Sequence, residues 1–157
     1  GSLRAIKAVC ARLEDRSGNV RQAAIDAAAQ VMEPSDRRAI DCVCALLDHR
    51  NNDVKSAAVW ALGRFVVESD PYVIESVCVR LEHPDHDVKS IVAMALGEVA
   101  KKSDRNAIMA IATRLKHRDV AVQRAALEAL VGVAEKGNEH LIESVSACLE
   151  HEDGNVR

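Results

Sequence analysis

A chain of 157 residues with 24 acidic and 21 basic side chains carries a net charge of −3 and a pI near 6.1. That balance argues against a general polyanion-binding surface, which would be strongly basic, so no nucleic-acid partner is expected. No run of about 18 apolar residues occurs, so no helix is expected to span a membrane. Aromatic residues make up 2 % of the chain against 48 % hydrophobic residues overall, so a core has to be assembled from Leu, Val, Ile and Ala. The five cysteines, Cys10, Cys42, Cys44, Cys78 and Cys148, contain no Cys-x-x-Cys pair and are odd in number, which argues against a disulfide framework. Cys10, Cys44 and Cys78 are expected to act as small buried hydrophobes, and this usage fits a reducing, intracellular, cytoplasmic setting.

Laid against itself, the chain repeats. "LEDRSGNVRQAAIDAAA" from Leu13, "LDHRNNDVKSAAVWALG" from Leu47, "LEHPDHDVKSIVAMALG" from Leu81, "LKHRDVAVQRAALEALV" from Leu115 and "LEHEDGNVR" from Leu149 share one register, with a step of 34 residues and no insertion. Isoleucine keeps the same step at Ile6, Ile40, Ile74, Ile108 and Ile142, and valine at Val20, Val54, Val88, Val122 and Val156. Such a period implies one stack of units, each touching its neighbours, because a single unit cannot bury its own apolar face. The units are 1–34, 35–68, 69–102, 103–136 and a partial 137–157. The fifth unit stops at Arg157 before a second helix, which predicts that the chain is a piece of a longer array.

Taken in chain order, each unit reads as two helices. Ile40, Val43 and Leu47, repeated as Ile74, Val77, Leu81 and as Ile108, Ile111, Leu115, form one helical stripe. Val54, Ala57, Ala58, Ala61, Leu62 and Phe65 form a second stripe, again at 3.6 residues per turn. First helices are predicted over 3–15, 37–49, 71–83, 105–117 and 139–151, and second helices over 18–33, 52–67, 86–101 and 120–135. Asp36, Asp70, Asp104 and Asn138 are placed to cap first helices, and Ser17, Asn51, Asp85, Asp119 and Asp153 to cap second helices. Pro71 follows its cap at the first helical position, which tolerates proline. Ala23, Ala24, Ala27, Ala28, Ala57, Ala58, Ala125, Ala126 and Ala129 dominate the expected buried face of the second helices, where small side chains let helices approach closely.

The pattern Leu-x-Asp/His, a polar turn, then Val-Arg/Lys-x-Ala-Ala-x-x-Ala-Leu-Gly resembles HEAT repeats, and in particular the short HEAT-like repeats of phycobilin lyases. "DVKSAAVWALG", Asp53 to Gly63, carries the resemblance most fully; "DVKSIVAMALG" departs at Ile91 and Val92, and "AVQRAALEALV" at Gln123 and Val131. The resemblance covers the whole chain and implies an all-α fold, a right-handed α-solenoid of about four and a half two-helix, armadillo-like repeats. It also implies a charged ladder between an Asp after the recurring Leu and an Arg six residues on. Only Asp15 with Arg21 keeps that pair; the other units have His49 with Lys55, His83 with Lys89, His117 with Gln123 and His151 with Arg157. A neutral His49 or His83 is thus placed to accept a hydrogen bond from Lys55 or Lys89. A 34-residue period also belongs to tetratricopeptide repeats, but their recurring aromatic positions are absent: Trp60, Tyr72 and Phe65 each occur once.

No catalytic residue, cofactor or metal ion is expected. The histidine column is spaced by the distance between packed helices, about 8–10 Å, whereas zinc needs its ligands at about 2 Å. His83, Asp85, His86 and Asp87 are close in sequence, but Asp85 is committed as a cap. Di-iron hydroxylases of this repeat class use several His-Glu pairs, and only His151-Glu152 stands here. HEAT-like arrays expose the outer face of their second helices on the concave side, and the resemblance implies the same here. That face would be formed in the middle units by Ser56, Trp60, Gly63, Arg64, Val67, Ser90, Met94, Gly97 and Lys101. Its central column reads Asp26, Trp60, Met94 and Glu128, and a large aromatic on a solvent-facing helix has no folding reason to be there. The expected role is a protein–protein interaction scaffold with a protein partner on that face. A phycobilin lyase or its chaperone subunit, and a structural spacer segment of a larger scaffold, are the alternatives.

Overall fold

The structure, a computed structural model, describes residues 2–134 and, beyond them, Ile142 and Ser146. Within the expected helix 139–151 only Ile142 and Ser146 are described, both helical and exposed; the caps Asn138 and Asp153, and Glu135, Cys148 and His151, lie outside the described residues. Eight α-helices are present among the described residues, in pairs: α1 Leu3–Leu13 and α2 Gly18–Val31, α3 Arg37–Ala45 and α4 Asn52–Phe65, α5 Pro71–Cys78 and α6 His86–Val99, α7 Arg105–Ala112 and α8 Val120–Val133. The fold is an all-α solenoid. First helices stack on first helices, α1 on α3, α3 on α5 and α5 on α7, and second helices on second helices, α2 on α4, α4 on α6 and α6 on α8.

Every helix begins where its cap predicts. Asp36 accepts from the Arg38 N–H, Asn51 from Asp53, Asp70 from Tyr72, Asp85 from Asp87, Asp104 from Ala107 and Asp119 from Ala121. These bonds satisfy donors that have no partner within the helix. Ser17 occupies the cap position of α2 without a side-chain bond, and Ser2 caps α1 by accepting from Ala5.

The helix ends differ from expectation. The second helices stop at Val31, Phe65, Val99 and Val133, about two residues early. The first helices α3, α5 and α7 tighten into 3₁₀ turns at Leu46–Asp48, Val79–Glu82 and Thr113–Lys116. Arg80 and Arg114, inside two of these turns, donate back to the carbonyls of Ser76 and Ala110, satisfying acceptors that the ending α-helix leaves free.

The core follows the two stripes. Ile40, Val43, Leu47, Ile74, Val77, Leu81, Ile108, Ile111 and Leu115 are buried, as are Val54, Ala57, Ala58, Ala61, Leu62 and Phe65. Cys10, Cys44 and Cys78 are buried with them, and burial pushes the Cys44 and Cys78 thiols up to about 12. The alanine face needs one correction: Ala23 is exposed and Ala27 half-buried, because α2 has no second helix packed on its preceding side. The interior also takes a column that the stripe omits, Ile25, Val59 and Ala93, which is buried where another second helix follows. Leu127, its counterpart on α8, the last helix described, is exposed.

Two units, 69–102 and 103–136, are also clasped at their ends. Ser69 and Ser103 adopt left-handed backbone conformations, with φ of 63° and 61°. Their N–H groups donate to the carbonyls of Val99 and Val133, at 2.8 and 2.9 Å. The loop entering a unit is thereby tied to the end of that unit's second helix.

Candidate interaction surface on the second helices

Two charged systems join neighbouring units, and neither follows the expected pairing. Lys55 and Lys89 are buried, at 2 % and 4 % exposed, with their aliphatic stems inside the core and their ammonium groups reaching forward to the next unit. Lys55 Nζ lies 3.8 Å from Asp85 Oδ2 and Lys89 Nζ 3.7 Å from Asp119 Oδ2. One carboxylate thus caps a helix and receives the lysine of the preceding unit. Asp85 is held below the usual carboxylate range first by its cap bond to Asp87 and then by Lys55, and Asp119 likewise by its bond to Ala121 and then by Lys89. In the first unit Arg21 Nη2 reaches Asp53 Oδ2 at 2.7 Å, since the equivalent cap there, Asn51, is neutral. On the first helices Arg80 pairs back with Asp48 at 3.0 Å, and Arg114 with Glu82 at 3.3 Å.

The lysines therefore do not donate to His49 and His83. Each histidine Nδ1 accepts a backbone N–H two residues on: His49 from Asn51, His83 from Asp85 and His117 from Asp119, all at 3.0 Å. Asp15 makes the same bond in the first unit, its Oδ1 accepting from Ser17 at 2.9 Å. The expected Asp15–Arg21 carboxylate pair is likewise not formed, because Arg21 donates to the main-chain carbonyls of Asp15 and Arg16. The Asp/His column is a turn device that orients the next helix cap. Its signature in the sequence is an acceptor side chain two residues before each cap.

The expected contact residues fall into three groups. Trp60 and Met94 lie on the exposed face of α4 and α6, at 52 % and 53 % exposure, at equivalent positions on adjacent helices. Ser56 joins Trp60 in a cleft between α2 and α4 of about 230 Å³, lined also by Gln22, Ile25 and the Arg21–Asp53 pair. Ser90 lines a similar cleft of about 250 Å³ between α6 and α8, with Arg124 and Glu128. Arg64, one turn beyond Trp60, is tied across to Asp26 of α2 at 3.1 Å.

The glycines do not open a groove beside Trp60 and Met94. A Cβ on Gly63 would stand 3.5 Å from the Glu98 side chain, and one on Gly97 would stand 3.8 Å from the carbonyl of Gly132. These positions are where second helices come close, not places left empty. Val67 and Lys101 lie past the helix ends, in turns where Asp70 donates to the Val67 carbonyl and Asp104 to that of Lys101. Both are exposed, but they belong to the loop edge and not to the helix face. The cleft residues Arg21 and Asp53 are absent from the sequence-based set, because their contact crosses from one unit to the next.

Among the described residues no group of three or more His, Cys, Asp or Glu side chains could hold a metal ion, and no helix is long and apolar enough to cross a membrane.

The family model for HEAT repeats matches residues 6–78 and 74–157. No curated protein matches the sequence. Among solved structures, two engineered proteins from the Northeast Structural Genomics Consortium are similar. One is 23 % identical at a TM-score of 0.41, covering 99 % of this chain and 81 % of its own. The other is 19 % identical at 0.41, covering 99 % and 80 %. A designed armadillo repeat protein in complex with the peptide (KR)4 is 15 % identical at 0.40, covering 96 % of this chain and 77 % of its own. With the family model spanning both halves of the described helix pairs, the chain belongs to the HEAT repeat family.

Proposed function

We propose that this HEAT-repeat array is a non-enzymatic scaffold that binds a protein partner on the concave face formed by its second helices. The observation that carries the reading is the exposure of Trp60 and Met94 at equivalent positions of α4 and α6, beside the cleft that Ser56 and Trp60 share. Aromatic anchors at interfaces typically cost about 2 kcal/mol or more on truncation, roughly thirtyfold in affinity. Contact would centre on Ser56, Trp60, Arg64, Ser90 and Met94, with Gly63 and Gly97 keeping the helices close and Val67 and Lys101 at the loop edge. Its free cysteines suit a reducing, intracellular setting.

The test compares proteins retained by wild type and by a Trp60→Ala, Met94→Ala double variant, with thermal unfolding as the control. An exposed Trp60 predicts red-shifted emission from this single tryptophan and a midpoint that Trp60→Ala leaves unchanged. Loss of a bound protein by at least tenfold supports the reading. An identical set of bound proteins, or none with either form, refutes it and leaves the spacer reading. The repeat stretch "DVKSAAVWALG" also favours a phycobilin lyase or its chaperone subunit as a second reading, which visible absorbance retained after mixing with a bilin would mark.

A further inference from the structure

The first interface between units differs from the others in its chemistry. Helices α1 and α3 stack side by side, with Cys10 on α1 and Cys42 on α3 near enough for Cys42 to raise the Cys10 thiol. Cys10 is buried at 5 % exposure, whereas Cys42 is half-buried. The 34-residue register gives Cys44 and Ser76 as the equivalent pair at the next interface, and those two side chains line one cleft of about 370 Å³ between α3 and α5. At the third interface the equivalents are Cys78 and Ala110. Among the described residues, the first interface alone places two thiols at these facing positions.

We propose that Cys10 and Cys42 are a redox modification site, a vicinal dithiol that a small-molecule disulfide such as glutathione disulfide converts into a covalent bridge between α1 and α3. Cys42 attacks first, because it is the thiol that solvent reaches. Its thiolate forms a bond to one glutathione sulfur, the glutathione S–S bond breaks, and one glutathione thiolate leaves. Cys10 then attacks the Cys42 sulfur of the mixed disulfide, loses its proton to solvent and displaces the second glutathione. Two protein thiols are oxidised and one disulfide is reduced to two thiols. Burial, followed by the neighbouring Cys42 and the charge of Glu14, pushes the Cys10 thiol up, so it is a poor first nucleophile and suits the resolving role. Cys44 and Cys78 are buried without a second thiol opposite and serve as core side chains. The bridge would fasten the first two units to each other.

The folded full chain is incubated with glutathione disulfide, and the product is read by intact mass and by peptide mapping without reduction. The expected product has lost two hydrogens, joins the Cys10 peptide to the Cys42 peptide in nearly every chain, and reverts with dithiothreitol. Cys42→Ser should abolish the two-hydrogen loss, whereas Cys78→Ser should leave it in place. A lasting glutathione adduct on Cys42 with Cys10 reduced would overturn the proposal. So would a bridge to Cys44, Cys78 or Cys148, a bridge between chains, or a bridge that forms only after denaturation. No reaction under conditions that fully oxidise dithiothreitol would overturn it equally.

Discussion

The first and the second helices of this array obey one period and use the same cap residues, yet they are joined to their neighbours in different ways. Second helices α4, α6 and α8 run as α-helix for 14 residues each and meet one another through Ala, Gly and Val. The charged contacts that join α4 to α6 and α6 to α8, Lys55–Asp85 and Lys89–Asp119, are each held by a lysine buried almost to its nitrogen. First helices α3, α5 and α7 are 8 or 9 residues long before they tighten. Their inter-unit contacts include the half-exposed pairs Arg80–Asp48 and Arg114–Glu82. The two layers thus differ in how much water their contacts exclude, and that exclusion governs what a contact contributes. A packed alanine interface tolerates little change, while an ion pair open to solvent contributes little.

Four substitutions or conditions sharpen this contrast. Leu62 is fully buried on α4, and Leu62→Ala should lower stability by about 3 kcal/mol in chemical denaturation. Lys55→Ala should cost about 2 kcal/mol, chiefly through lost packing of its stem, whereas Lys55→Met, which keeps the volume, should stay within about 1 kcal/mol. If Met proves as damaging as Ala, the ammonium rather than the stem is what the interface needs. Arg80→Ala should cost about 1 kcal/mol or less, since its pair is partly solvated. A loss equal to that of Leu62→Ala would break the comparison between the layers.

The smallest expected effect lies in acid. Asp36 is held near 2, first by its side-chain bond to Arg38, and Asp85 and Asp119 are lowered by their cap bonds and then by Lys55 and Lys89. A lowered folded value means that the contributed stability is complete above the unfolded value, 3.8, and is lost as pH falls through the folded one. Unfolding midpoints should therefore hold steady down to about pH 4 and then drop. Asp85→Asn with Asp119→Asn keeps an acceptor at each cap and removes two of the titrating groups, so the double variant should show a shallower drop. An unchanged slope would mean that these two carboxylates do not carry the acid response.

Every described helix start was readable in the chain, because a cap is a local event between a side chain and an N–H two or three residues on, as at Asp36 and Asp85. The buried columns were readable for a similar reason: a side chain's face follows from its helical position, and repetition marks which face matters. The exposure of Trp60 and Met94 followed from that same periodicity. What remained hidden involves a second unit or the end of a helix. The sequence puts Lys55 six residues after His49 and 30 before Asp85, and only stacking makes the distant residue the partner. Val59 and Leu127 occupy the same position in their units, and burial separates them because one helix is followed by another in the described stack. The 34-residue period determines which positions are equivalent, whereas the side on which each meets its neighbour, and whether water reaches it, is decided by the packing of one unit on the next.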